Sequence, residues 1–190
     1  MKKQELVSKL KPIILIEGCR NVGKSFLIDK IKDLYLTYKY PFNEWFINVY
    51  ENDMTNNINK EIFYLIFGQD TCLFDMYNKG LIKDQLVLDR GFLSNVVFGI
   101  QSKRITIEEA TKNLKWQLKK WPDLFKIVYI SSKHTEDIRD KDKWSIYNSE
   151  ETDNIYRLLF KELNIEPIEF FNNKNKESEI EFFNTIKKLS

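Results

Sequence analysis

Residues 18–25 read Gly18-Cys-Arg-Asn-Val-Gly23-Lys24-Ser25, the pattern G-x-x-x-x-G-K-[ST]. No other stretch restricts the fold as sharply, because the pattern works only between a strand that delivers it and a helix that follows. Pro12-Ile13-Ile14-Leu15-Ile16-Glu17 just before it is a short apolar run of the buried-strand kind. From Lys24 to about Tyr38 the spacing predicts a helix, with Phe26, Leu27, Ile31 and Leu34 on one face. In such a loop the glycines let the backbone wrap closely, so its N–H groups converge on a phosphate. The N-terminus of the following helix adds a positive dipole. Lys24 is placed to reach β- and γ-phosphates, and the Ser25 hydroxyl to ligate Mg²⁺. A chance match in a chain of this length has a probability of roughly one in a hundred.

Strand-like and helix-like segments alternate along the rest of the chain. Trp45 to Tyr50 reads as a second strand, and Asn59 to Tyr77 as a long helix ending before Gly80. Gln85 to Leu88 is a third strand. Thr106 and Glu109 form a capping box opening a helix to Lys120, which Pro122 stops. Phe125 to Ile130 is a fourth strand, Glu150 to Leu163 a helix, and Ile165 to Phe171 a fifth strand. Ser178 and Glu181 read as a second capping box opening a terminal helix. Five strands separated by helices predict a three-layer α/β domain with a parallel sheet.

Composition narrows the functional classes. The 190 residues fit one domain, and a 43% hydrophobic fraction is ample for a packed core. Thirty Lys and Arg against 28 Asp and Glu leave no basic excess of the size a nucleic-acid coat or membrane-surface protein carries. Cys19 and Cys72 read as free thiols of a reducing compartment. Two scattered cysteines and one histidine, His134, argue against a zinc site. The apolar run before Glu17 is too short for a signal-peptide core or a membrane span, so a cytoplasmic protein is expected.

Leu86-Val-Leu-Asp89-Arg90 ends the third strand with a carboxylate and a guanidinium. Ligands of doubly wound sheets sit at the carboxyl ends of the strands. If the first and third strands are neighbours, Asp89 faces the glycine loop and acts on Mg²⁺ or on an acceptor oxygen. Arg90 then neutralises phosphate charge.

With these residues in place the sequence resembles the thymidylate kinase family and its relatives, the deoxynucleoside kinases, over nearly the whole chain. The family's strand and phosphate loop match Ile14 to Ser25. Its Asp-Arg motif, with a later Ser and aromatic, matches Asp89-Arg90-Gly-Phe-Leu-Ser94-Asn-Val-Val-Phe98. A Pro-Asp-Leu before an apolar strand is met by Pro122-Asp123-Leu124. A basic lid segment is met by Ile138-Arg139-Asp-Lys141-Asp-Lys143-Trp144, and a Tyr-x-x-Leu helix by Tyr156-Arg-Leu-Leu159. The chain departs from thymidylate kinases at three places, one of them the lid, where Arg139 stands with lysines and the family has more than one Arg. Their helix motif Phe-x-x-Asp-Arg here reads Phe67-Gly-Gln-Asp70-Thr71, without the Arg that grips an acceptor phosphate. The Tyr or His that usually follows Asp-Arg is Gly91.

The resemblance implies a P-loop kinase fold spanning residues 1–190, with a lid over about 133–149. It implies ATP and Mg²⁺ as donor and cofactor, held by Gly18, Asn21, Val22, Gly23, Lys24, Ser25 and Phe26, with Ser25 and Asp89 on the metal. Lys24, Asp89, Arg90 and Arg139 are the expected catalytic set, with Lys141 and Lys143 supporting Arg139. Glu51, at the end of the expected second strand, Phe67, Arg90 and Ser94 are the expected acceptor contacts. Three plainer readings stay open here: Glu51 as a solvated loop acid, Phe67 as core, with Phe63 and Phe74 at helical spacing, and Arg139, Lys141 and Lys143 as a charged, solvated loop. Asn172-Asn173-Lys174 either contacts adenine or is a plain turn. The implied activity is transfer of a γ-phosphate to a deoxynucleoside monophosphate, with a deoxynucleoside as the alternative acceptor. A polynucleotide 5′-kinase or a non-catalytic nucleotide-binding module are further alternatives. The expected partners are a nucleoside triphosphate and a nucleoside or nucleotide, not a membrane or a long nucleic acid, and a homodimer is compatible.

Overall fold

The computed structural model describes residues 10–39, 60–101, 103, 105–132 and 149–190, with the backbone alone for 60–67. The described elements follow in the order β1 (Ile13–Glu17), α1 (Lys24–Asp29), β2 (Leu36–Lys39), α2 (Lys60–Asn78), β3 (Leu86–Asp89) and α3 (Phe92–Gln101). Then come α4 (Ile107–Lys120), β4 (Phe125–Ser131), α5 (Ser149–Leu163), β5 (Ile168–Phe171) and α6 (Lys176–Leu189). The strands form one five-stranded sheet in the order β2-β3-β1-β4-β5, every pairing parallel.

β1 lies at the centre, and Ile13, Ile14, Leu15 and Ile16 are wholly buried. An apolar side chain at every position is what a parallel strand needs when helices cover both faces. The alternation of the strands divides the core in two. Ile13 and Leu15, with Leu86, Leu88, Ile127 and Tyr129, pack against Phe74 of α2, Phe92 and Val96 of α3, Leu114 of α4 and Tyr156 of α5. Ile14 and Ile16, with Val87, Val128, Ile130 and Phe170, pack against Leu27 and Ile28 of α1 and Phe182 and Ile186 of α6. This is the expected three-layer α/β arrangement.

Two local readings need correction, and one helix was not foreseen. The helix from Lys24 to Tyr38 ends at Asp29, and Leu36–Lys39 becomes the strand beside β3, pairing Leu36 with Leu86 and Lys39 with Asp89. The helical spacing was misleading because two of its apolar members, Phe26 and Leu34, are 54% and 62% exposed and line no buried stripe. The segment Trp45 to Tyr50 lies outside the described residues. Helix α3 had no sequence signal, because Phe92 to Val97 are buried all round and show no polar face to set a period. At α6 the cap is Asn175, whose side chain accepts from Ser178 N at 2.9 Å. The Ser178 hydroxyl instead accepts from Asn173 N. The Thr106–Glu109 capping box forms as read, with both reciprocal bonds.

Candidate active site

The loop after β1 is shaped by close approaches. Gly18 has φ 134°, and a Cβ there would stand 2.2 Å from the Ile130 carbonyl oxygen of β4. Gly23 has φ 89°, and its Cβ would stand 2.5 Å from Asn172 Nδ2. Only glycine meets both conditions at these two positions. Asn21, between them, has φ 61°, a region that Asn tolerates better than most residues. Val22 is buried, whereas Phe26 is exposed with Lys30 Nζ 4.6 Å from its ring centroid.

Lys24 is 5% exposed, and its ammonium donates to the Gly18 carbonyl at 2.9 Å and to the Cys19 carbonyl. Burial, and after it the charge of Arg90, holds its pKa well below that of an ordinary lysine, against the opposing pull of Asp89. Pairing of β1 with β3 sets Ile16 beside Asp89, so the ends of the two strands meet. There the Ser25 hydroxyl donates to Asp89 Oδ2 at 2.6 Å. The strand adjacency that the sequence reading required is present.

Arg90 turns away from the strand at φ 74°, a left-handed conformation uncommon for a long side chain. Its backbone N–H donates to the Ile16 carbonyl at 3.0 Å. Its guanidinium donates to the Gly18 carbonyl at 3.2 Å and to Ser94 Oγ at 3.3 Å, and lies 5.0 Å from the Phe98 ring centroid. Lys24 and Arg90 therefore converge on one carbonyl at the mouth of the loop.

Sequence reasoning passed over Glu17, which ties the two motifs together. It is fully buried at the end of β1. Oε1 accepts from Gly91 N at 3.0 Å and Ser94 N at 3.4 Å, while Oε2 accepts from the Ser94 hydroxyl and from Tyr156 OH at 3.0 Å. Burial pushes its carboxyl above the usual range, opposed first by the Ser94 hydrogen bond and then by the Arg90 charge. The available signal was a lone carboxylate closing an otherwise apolar run. Gly91 has its reason here too: a Cβ would sit 3.1 Å from a Leu15 methyl and 3.2 Å from Glu17 Oε1.

Asp70 of α2 was also overlooked. It is completely buried, accepts from Asn95 Nδ2 at 3.1 Å, and its Oδ1 has no partner among the described residues. Burial drives its carboxyl well above the ordinary value. The neighbouring Thr71 accepts through Oγ1 from Gln117 Nε2 at 3.3 Å. Asn172, a candidate adenine contact, directs its side chain at Val22 O and Lys174 N instead. Phe67 lies within α2, its side chain outside the description. Glu51, His134, Arg139, Lys141 and Lys143 lie outside the described residues. Cys19 and Cys72 are free thiols.

Ser25 and Asp89 offer two hard oxygens at the loop, which suits Mg²⁺ bound together with phosphate. Among the described residues no group of three His, Cys, Asp or Glu gathers as a metal cage, and Mg²⁺ held chiefly by phosphate and water needs none. No helix among the described residues is long and apolar enough to cross a membrane.

Comparison with solved structures gives the same architecture. The chain superposes on NadR protein in complex with NR with a TM-score of 0.59 at 12% identity, covering 95% of this chain and 51% of NadR. It superposes on deoxyadenosine kinase from M. mycoides, with the products dCMP and dCDP bound, with a TM-score of 0.57 at 16% identity. That match covers 94% of this chain and 100% of the other. This is the P-loop kinase fold. The YorR protein from Bacillus subtilis, in complex with phosphorylated GDP, is similar as well, with a TM-score of 0.53 at 18% identity over 93% of this chain and 95% of YorR. The chain thus spans about half of NadR and the full length of the deoxyadenosine kinase. No protein-family model matches the chain, and no curated protein matches it.

Proposed function

We propose that this protein transfers the γ-phosphate of a nucleoside triphosphate to a nucleoside or nucleotide. The observation that carries this reading is the convergence at the carboxyl ends of β1 and β3. Lys24 and Arg90 meet on the Gly18 carbonyl, and Ser25 meets Asp89, all at the mouth of one glycine loop. The deoxyadenosine kinase and the other solved structures of this fold support it by their bound nucleotides.

The loop amides hold the donor phosphates, and Lys24, already dehydrated, supplies a cation at low cost in lost water. Bound Mg²⁺, held by Ser25 and Asp89, would neutralise charge on the terminal phosphates. Either Asp89 or Glu51 orients the acceptor hydroxyl and draws its proton as the new P–O bond forms and the bond to the leaving nucleoside diphosphate breaks. Arg90 stabilises charge on the transferring group. On the same reading a lid role falls to about residues 133–149, with Arg139, and acceptor contacts fall to Glu51 and Phe67, in a single domain spanning 1–190.

The sequence resemblance puts a deoxynucleoside monophosphate first as acceptor. One observation favours the deoxynucleoside instead. The helices flanking Asp89–Arg90 carry no cation beyond Lys60: residues 61–78 and 91–102 contain neither Lys nor Arg. Where a phosphate-gripping Arg would stand, next to the buried Asp70, the chain has Thr71 turned toward Gln117. A phosphate dianion beside Asp70 and Thr71 would find no cation on residues 61–78 or 91–102, and Arg90 between them is already engaged by the Gly18 carbonyl and Ser94. Turnover with MgATP against nucleosides, monophosphates and 5′-hydroxyl oligonucleotides tests both levels. Phosphorylated nucleosides confirm the favoured acceptor, and turnover of monophosphates alone reverses it. ATP binding with no turnover of any acceptor would make the chain a nucleotide-binding module.

A further inference from the structure

Asn172 follows β5 and is 2% exposed. Its backbone N–H donates to the Ser131 carbonyl at the end of β4, at 2.8 Å. Its side-chain oxygen accepts from Lys174 N at 2.8 Å, an Asx-turn closed by the left-handed Lys174 at φ 57°. With the oxygen engaged, the amide nitrogen has one direction left. It donates to the Val22 carbonyl at 2.8 Å, across 150 positions of the chain.

The Val22 carbonyl and the Gly23 N–H belong to one planar trans peptide, so they point in opposite directions. Fixing the carbonyl on Asn172 aims the Gly23 N–H away from β5. At the left-handed Gly23 this peptide plane has little intrinsic preference, since glycine populates both signs of φ. A Cβ at Gly23 would collide with the same Asn172 nitrogen, so the close approach and the hydrogen bond are one contact.

We infer that Asn172 is a positioning residue for donor binding: by holding the Val22 carbonyl it turns the Gly23 amide toward the triphosphate. This rests on the proposed phosphate-binding role of residues 18–25 and extends it to a residue that follows the edge strand β5. The ligand chemistry it serves is the polyphosphate and not the base. Asn172→Ala releases the carbonyl, and Asn172→Asp sets a carboxylate against it.

Equilibrium binding of MgATP, MgGTP and inorganic tripolyphosphate is the test, alongside thermal melting of each variant. The wild type must bind MgATP; if it does not, the proposed function itself fails. Asn172→Ala should weaken all three ligands by a similar factor of about ten, the scale of one lost hydrogen bond to a charged group. Asn172→Asp should weaken them further. In kinetics the donor KM should rise while the acceptor KM stays constant. Unchanged binding by folded variants overturns the inference and leaves the proposed function standing. A loss confined to MgATP, with tripolyphosphate unaffected, also overturns it and makes Asn172 a base contact. Should neither variant fold, the wild type still decides. Its Gly23 amide resonance must shift on addition of tripolyphosphate, and a fixed resonance rejects the assignment.

Discussion

The Ser25 hydroxyl donates to Asp89 Oδ2 at 2.6 Å across 64 positions of the chain. Neither residue is positioned by its own segment alone. Ser25 stands at the start of α1, Asp89 at the end of β3, and the pairing of β3 with β1 brings them together. Asp89→Asn keeps the volume of the side chain and removes its charge. Turnover should fall by at least about a hundredfold, the scale for losing one aimed electrostatic group, with nucleoside triphosphate affinity much less affected. A variant that turns over normally would show that Asp89 serves only the fold.

Lys24→Ala should abolish phosphoryl transfer, with a loss of at least about a hundredfold in kcat/KM. The fold should survive, because the Lys24 ammonium contacts the Gly18 and Cys19 carbonyls of its own loop and anchors no strand or helix. Circular dichroism and single-turnover kinetics on the same sample check both halves. Full activity in a folded variant would remove residues 18–25 from the catalytic site.

Glu17 makes a different prediction, one of stability. Glu17→Ala leaves the Gly91 and Ser94 amides unpaired in a buried site, while the Tyr156 and Ser94 hydroxyls keep each other at 2.7 Å. A cost of about 2 kcal/mol or more follows from roughly 1–3 kcal/mol for each unsatisfied group. Glu17→Gln, which keeps an acceptor and offers a donor to hydroxyls able to accept, should cost much less. Equal destabilisation of the two in chemical denaturation would contradict this.

The Asp70 carboxyl is raised by burial, and its sign fixes a pH dependence. A folded pKa above the unfolded one means the folded state binds more protons between the two values. This contribution therefore lowers stability as pH rises from the unfolded value near 3.8 toward the folded one. Asp70→Asn removes it. The melting temperature of the variant minus that of the wild type should increase from about pH 4 to about pH 7. A difference that is flat or declines with pH would show that Asp70 is not raised.

Much of the site could be read from local pattern. Gly18, Gly23, Lys24 and Ser25 are identified by spacing, because a loop that wraps an anion has few solutions in residue type. β1, β3, β4 and the capped helix α4 were visible for a similar reason, since a buried strand and a capping box each leave a short contiguous signature. The contacts of Glu17, Asp70 and Asn172 were not legible, though each is buried. A single carboxylate or amide has no periodicity, and its partners Ser94, Asn95 and Val22 lie 77, 25 and 150 positions away.

Sequence by itself determined the alternation of elements and the phosphate-type loop, because both follow from neighbours within one turn of chain. Tertiary structure alone decided three things: that residues 36–39 pair beside β3, that α3 forms from a stretch buried on nearly every side, and that Arg90 is bent to φ 74° over the loop. Edge pairing, all-round burial and a left-handed residue braced by the Ile16 carbonyl and Glu17 are each favourable only once the sheet is assembled. No local preference for them is written in the chain.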